Sequence, residues 1–310
     1  MKLFLSSAES PDNSKTLLSV PRKKCVLVTF FYYYKKKDSK IRPLLELYKT
    51  AGYEVMLDSG AHTFLNYIAS NVSSNSSYTR HSIGGGKKNL GVECGEYFKS
   101  YLEFLKEYKE YFDFIVELDI DILVGYEVIL KWRKLLAEVV GAKKLVAVYH
   151  ETIPDWQTEI KVWCEKGYLL GIGGKPDSET LNYLFTAAKK YGGRTHGFAK
   201  TSNKLMSSYP WFSVDSSTWN TGKRFGILFY LEKDKFPYLI QGLTLKGVRN
   251  GNKDDIKVFR ERVLKSASKY IDFSLKDLLF AKEKSALIDV LNINAFLDYE
   301  EFITKYWSKK

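Results

Sequence analysis

Short apolar runs alternate along this chain with stretches whose apolar residues recur every three or four positions, the pattern of parallel strands joined by crossover helices. The candidate strands are Cys25 to Tyr33, Tyr53 to Leu57, Phe114 to Leu118, Leu145 to Tyr149, Tyr168 to Ile172, Thr195 to Ala199, Phe212 to Val214 and Gly226 to Leu231. Between them, Val128, Ile129, Trp132, Leu135, Leu136, Val139 and Val140 form one apolar helix face. Tyr97, Tyr101, Leu105, Tyr108 and Phe112 form a second stripe, read as core packing. About eight strands with intervening helices predict a TIM-type (β/α)8 barrel; a doubly wound open sheet is the other arrangement of the same elements.

The unusual residues favour the barrel. Trp211-Phe212-Ser213-Val214 runs into Asp215, Tyr53-Glu54-Val55-Met56-Leu57 into Asp58, and Phe114-Ile115-Val116-Glu117-Leu118 into Asp119. A buried, unpaired carboxylate costs several kcal/mol or takes up a proton, so such positions are enriched in function. His150, Gly173 with Gly174, and His196 also fall at or near strand ends. In a barrel the carboxyl ends gather on one face, whereas an open sheet strings them along an edge.

Length and composition set outer limits. A chain of 310 residues with 45% hydrophobic and 27% charged residues can bury a large core. It has neither an apolar run long enough to span a bilayer nor a signal-peptide pattern, which predicts a cytoplasmic protein, in the host cytoplasm if viral. Cys25, Cys94 and Cys164 are odd in number and scattered, against a disulfide framework or a structural zinc. A net charge of +12 favours a polyanionic partner, although a lysine-rich surface can also reflect compositional bias.

The organisation reads as a barrel over residues 1–250 and a charged, helical C-terminal appendage over 251–310, with helices expected at Asp254 to Tyr270 and Ser285 to Lys310. Tyr299, Phe302, Tyr306 and Trp307 are spaced for one helix face. Residues 70–89, rich in Ser, Asn and Gly, predict a long mobile loop: a lid or basic clamp if it borders the site, a disordered insertion if not. Gly84-Gly85-Gly86 is not a phosphate-binding fingerprint, because no strand precedes it and no Gly-Lys-Ser/Thr follows.

Asp58 and Asp215, each followed by Ser, suit a double displacement in which one is the nucleophile and the other moves protons. An Asp after a strand also serves as a helix N-cap or turn start, and spacing alone leaves both readings open. Glu117, Asp119 and Asp121 alternate as if along one strand face. Asp119 and Asp121 suit a hard cation with a histidine, or the strand end suits a pocket in which an ionised carboxylate accepts from the N–H groups of a purine edge. Gly171-Ile172-Gly173-Gly174 lets a ligand approach backbone N–H groups, or is a plain turn.

Together these segments resemble the tRNA-guanine transglycosylase superfamily over roughly residues 50–230, in that family's order. Its Asp-Ser-Gly-Gly motif looks like Asp58-Ser59-Gly60-Ala61, its base-recognising aspartate like Asp119, its Gly-Gly loop like Gly173-Gly174 and its nucleophile like Asp215. The tRNA enzymes carry a zinc-binding Cys and His cluster after the nucleophile, and this chain has no cysteine after Cys164. A base-contacting glutamine is replaced by His150, and the positions that sandwich the base fall near His62 and His196. Pro210 to Trp219 and His196-Gly197-Phe198 look most like the DpdA-like, phage-type branch that modifies DNA.

The resemblance implies that guanine in DNA is exchanged for a 7-deazaguanine, of which 7-cyano-7-deazaguanine is the expected form. Asp119 would hold the base's Watson-Crick edge, Gly173, Gly174 or His150 its carbonyl, Asp215 would attack C1′, and Asp58 would take the proton of the incoming base. Lys87, Lys88, Lys223 and Arg224 are candidates for phosphate contacts, or simply a solvated basic face. No ATP, redox cofactor or metal is implied, and no membrane; the oligomeric state is not fixed. The alternatives are a tRNA-directed transglycosylase and a non-catalytic nucleic-acid-binding barrel.

Overall fold

The computed structural model describes residues 1–22, 24–36, 41–73, 87–150, 153–232, 239–265, 269–271, 273–280 and 284–310. Eight strands close a parallel barrel in sequence order, with helices between them. They are β1 (Lys2–Leu5), β2 (Cys25–Thr29), β3 (Glu54–Asp58), β4 (Phe114–Val116), β5 (Leu145–Tyr149), β6 (Leu169–Ile172), β7 (Arg194–Gly197) and β8 (Ser213–Ser216). β9 (Ile227–Glu232) and β10 (Leu239–Thr244) form a separate antiparallel pair. β2, β5 and β6 are nearly continuous apolar runs, as expected where both sheet faces are covered.

This corrects two expectations. The run Gly226 to Leu231 is a strand but not a barrel strand: Leu231 pairs with Ile240 in the hairpin. The place it was expected to take belongs to β1, whose Leu3, Phe4 and Leu5 pair in parallel with Val214, Asp215 and Ser216 of β8. The run from Cys25 stops at Thr29, and Phe30–Lys36 is helical, with the Phe30 ring packed against Tyr97, Tyr101 and Phe104.

The chain groups into two compact parts. One comprises Met1–Val26, Ala51–Tyr53 and Gly197–Lys310. Its apolar core includes Leu228, Tyr230, Leu243, Phe259, Val263, Ile288 and Leu291, contributed by the hairpin and the C-terminal helices. The helix Lys284–Trp307 is tied to Arg22, whose guanidinium meets Asp298 at 3.0 Å and Glu301 at 2.6 Å. Of the helix expected at 254–270, Lys253–Val258 is α-helical and runs on as a π-helix, Phe259–Leu264, and residues 266–268 lie outside the described residues.

The other part comprises Leu27–Thr50 and Glu54–His196. Its helices begin and end on legible signals. Asp177 accepts from the Thr180 amide to cap Ser178–Lys190, and Gly167, at φ 81°, ends Trp156–Lys166. Tyr97, Tyr101, Leu105 and Phe112 are all buried, so that stripe is core. The edges of the expected 70–89 loop are helical: one helix is Ala61–Ser73 and the next Lys87–Tyr108. Gly84 to Gly86 lie outside the described residues.

Candidate active site

Asp58 is the last residue of β3, and the chain turns sharply behind it. The Gly60 amide donates to Asp58 Oδ2 at 3.1 Å. Gly60 is at φ 77°, and a Cβ there would fall 2.7 Å from Phe31 Cβ and 2.8 Å from the Tyr97 hydroxyl. That hydroxyl donates to the Ser59 carbonyl at 2.7 Å, so the aromatic core clamps the turn that presents Asp58. Burial, followed by the charge of Asp58, holds the Tyr97 hydroxyl far above its ordinary pKa, which keeps it a donor.

β4 stops at Val116, so Glu117, Asp119 and Asp121 do not share one strand face as expected. Glu117 is buried and turned to Arg133 of the helix Tyr126–Val140, with Nε–Oε2 at 2.5 Å and Nη2–Oε1 at 2.9 Å. It also accepts from the Val148 amide of β5 at 2.6 Å, a structural knot behind the site. Asp121 opens a short helix, Asp121–Val124.

Asp119 and Asp121 come together with His150, the residue after β5. Its Nε2 lies 3.7 Å from Asp119 Oδ2, and its Nδ1 lies 3.7 Å from Asp121 Oδ1. Burial, then the charge of Asp58, raises the Asp119 carboxyl well above the ordinary carboxylate range; Glu117 and Asp121 add to this, and a backbone hydrogen bond opposes it. Asp119 therefore holds a proton to higher pH than an isolated aspartate, where the sequence suggested a pure acceptor. Among the described residues, no group of three or more His, Cys, Asp or Glu side chains is disposed to hold a metal ion.

Gly173 and Gly174 follow β6, with Gly174 at φ 54° and nothing within 4 Å of where a Cβ would stand. The left-handed backbone explains this glycine, and the open space leaves room for a ligand. His62 is exposed near the start of Ala61–Ser73, its Nδ1 3.3 Å from Asn66, while His196 is fully buried in β7.

In the first part, Asp215 sits in β8 and is partly exposed. The Ser6 hydroxyl donates to its Oδ2 and the Ala199 amide to its Oδ1, each at 2.9 Å. Asp215 is not a helix cap; that position before Thr218–Phe225 belongs to Ser217. Lys223 is spent within the fold, bonded to Asp289 at 2.7 Å and Asn13 at 3.0 Å, whereas Arg224 is exposed. Lys87 and Lys88 open the helix Lys87–Tyr108, with side chains outside the described residues.

Sequence reasoning missed Ser6 and Ala199. Ser6 carried the signal already used elsewhere, a polar residue ending an apolar run, here Leu3-Phe4-Leu5. Ala199 acts through its amide, which any residue but proline could supply.

No family model and no curated protein matches the sequence. Among solved structures, a Coccidioides immitis protein assigned as a fructose-1,6-biphosphate aldolase is similar in fold, with a TM-score of 0.53 and 10% identity over 98% of this chain and 90% of that one.

Proposed function

We propose that this chain is a base-exchange glycosyltransferase that replaces guanine in DNA with a 7-deazaguanine, 7-cyano-7-deazaguanine being the expected form. The observation that carries the reading is Asp215: a partly exposed carboxylate on a barrel strand, oriented through both oxygens. Asp58 and Asp119 at or beyond the carboxyl ends of β3 and β4, and the open space beside Gly174, support it.

An oxygen of Asp215 forms a bond to C1′ as the C1′–N9 bond breaks, and guanine leaves with that electron pair and takes a proton from water. The incoming base attacks the same carbon through N9, Asp58 takes its N9 proton, and Asp215 leaves. Asp119, once deprotonated, accepts from the base's Watson-Crick edge, with His150 against it and Asp121. The net charge of +12 and the exposed Arg224 suit a polyanionic substrate.

The test is to incubate the protein with DNA or with tRNA and 7-cyano-7-deazaguanine, then digest and measure nucleosides by mass spectrometry. The modified deoxynucleoside is expected from DNA. Product from tRNA alone would move the substrate to RNA, and binding without product would leave a nucleic-acid-binding barrel.

A further inference from the structure

Resting on the reading of Asp215 as nucleophile, the geometry points to Ser6 as the positioning residue for that carboxylate, working opposite the Ala199 amide. Ser6 is nearly buried and fixed at three points. Its amide donates to the Ser216 carbonyl at 2.9 Å, its carbonyl accepts from the Trp219 indole at 3.1 Å, and its hydroxyl meets Asp215 Oδ2 at 2.9 Å. With backbone and indole both committed, the hydroxyl has little freedom to turn away.

One donor sits at, and the other next to, backbone that non-glycine residues avoid. Ser7, next to Ser6, is at φ 66°, and Ala199 is at φ 54°. Such conformations persist only where the surroundings over-determine them. Asn13 Nδ2 donates to the Ser7 carbonyl at 2.9 Å. The Ala199 turn packs so closely that a Cβ on Gly197 would fall 2.7 Å from the Trp211 ring and 2.8 Å from Lys200 Cβ. Two separately anchored turns therefore deliver one donor to each oxygen of the same carboxylate, which limits its rotation and sets the direction of the attacking lone pair.

A merely structural Ser6 would lower stability and leave turnover of the folded enzyme unchanged. In Ser6→Ala, base exchange is expected to lose about tenfold to a hundredfold in kcat with little change in KM for the base, and Ser6→Thr, which keeps the hydroxyl, restores most of it. A second readout needs no substrate. Hydrogen exchange of the Ala199 amide, followed by NMR, should quicken by about tenfold in Ser6→Ala and return towards wild type in Ser6→Thr, because the carboxylate that accepts it is no longer pinned. Unchanged kcat, no rescue by threonine, or unchanged Ala199 exchange would each overturn the assignment. If wild-type protein exchanges no base in DNA or tRNA, the proposed reaction fails, while the Ala199 measurement still decides whether Ser6 orients Asp215.

Discussion

Glu117 and Arg133 meet through two hydrogen bonds with both side chains almost wholly out of water. The guanidinium also lies 4.2 Å over the Trp163 ring, which leaves neither group a role at the surface. Removing one partner leaves a buried charge, so Glu117→Ala or Arg133→Ala should lose roughly 3–5 kcal/mol in denaturant unfolding. Replacing both with apolar residues of similar volume should recover much of it. A single variant of wild-type stability would show that the pair is not the knot described.

Asp215→Asn should abolish exchange of labelled guanine, since an amide is a poor nucleophile towards C1′. Asp58→Asn should retain nucleic-acid binding and lose roughly a hundredfold or more in turnover, the usual scale of general acid–base catalysis. Near wild-type exchange in either variant removes the role assigned to that residue.

Asp119 gives a pH prediction. Its raised pKa means that the free protein keeps a proton there to higher pH than an ordinary aspartate, while accepting two N–H groups from guanine requires the carboxylate. Base binding should therefore release a proton, and affinity should rise with pH over the range in which free Asp119 is protonated. Calorimetry in two buffers of different ionisation heat measures the proton directly. Uptake rather than release would reverse the proposed contact.

Gly60→Ala should destabilise the turn behind Asp58. The added methyl meets Phe31 and the Tyr97 hydroxyl at a positive φ, for a loss of about 1–3 kcal/mol. Thermal unfolding gives the magnitude, and an unshifted midpoint would mean that the turn has slack.

Lys24 is buried with its ammonium donating to the Val20 and Arg22 carbonyls and the Tyr53 hydroxyl, each at 2.6 Å. Burial, then the charge of Arg22, lowers its pKa from 10.5 to about 8. Between those values the unfolded chain binds the extra proton, so this residue makes stability rise with pH through that window, by on the order of 3 kcal/mol at most. Tyr53, its pKa raised by burial, works in the opposite sense. The comparison of wild type with Lys24→Met isolates the lysine: equal pH slopes would contradict it.

The alternation of apolar runs and helical stripes was enough to read the barrel, because strands such as β2, β5 and β6, covered on both faces, are apolar almost along their whole length. Leu145 to Tyr149 was legible to the residue. β1 was not, since Leu3, Phe4 and Leu5 are too few to show a period and gain meaning only beside Val214 and Ser216. Asp58, Asp119 and Asp215 stood out because charge at the end of an apolar run is conspicuous. Glu117 looked like their equal, yet its partner Arg133 sits on a later helix, and no local pattern reveals an ion pair across elements. The partner of Lys223, Asp289, was equally hidden, lying on a distant helix.

The hydrogen bond from Ser6 to Asp215 joins residues 209 positions apart. Bringing such distant segments together is entropically opposed, so the contact depends on the barrel being closed between β1 and β8. A partly folded chain can own every acidic residue discussed above and still leave Asp215 without its serine. Base exchange, if Asp215 performs it, would then report on the final seam of the barrel, and a small loosening of β1 would silence the chemistry well before the molecule unfolds.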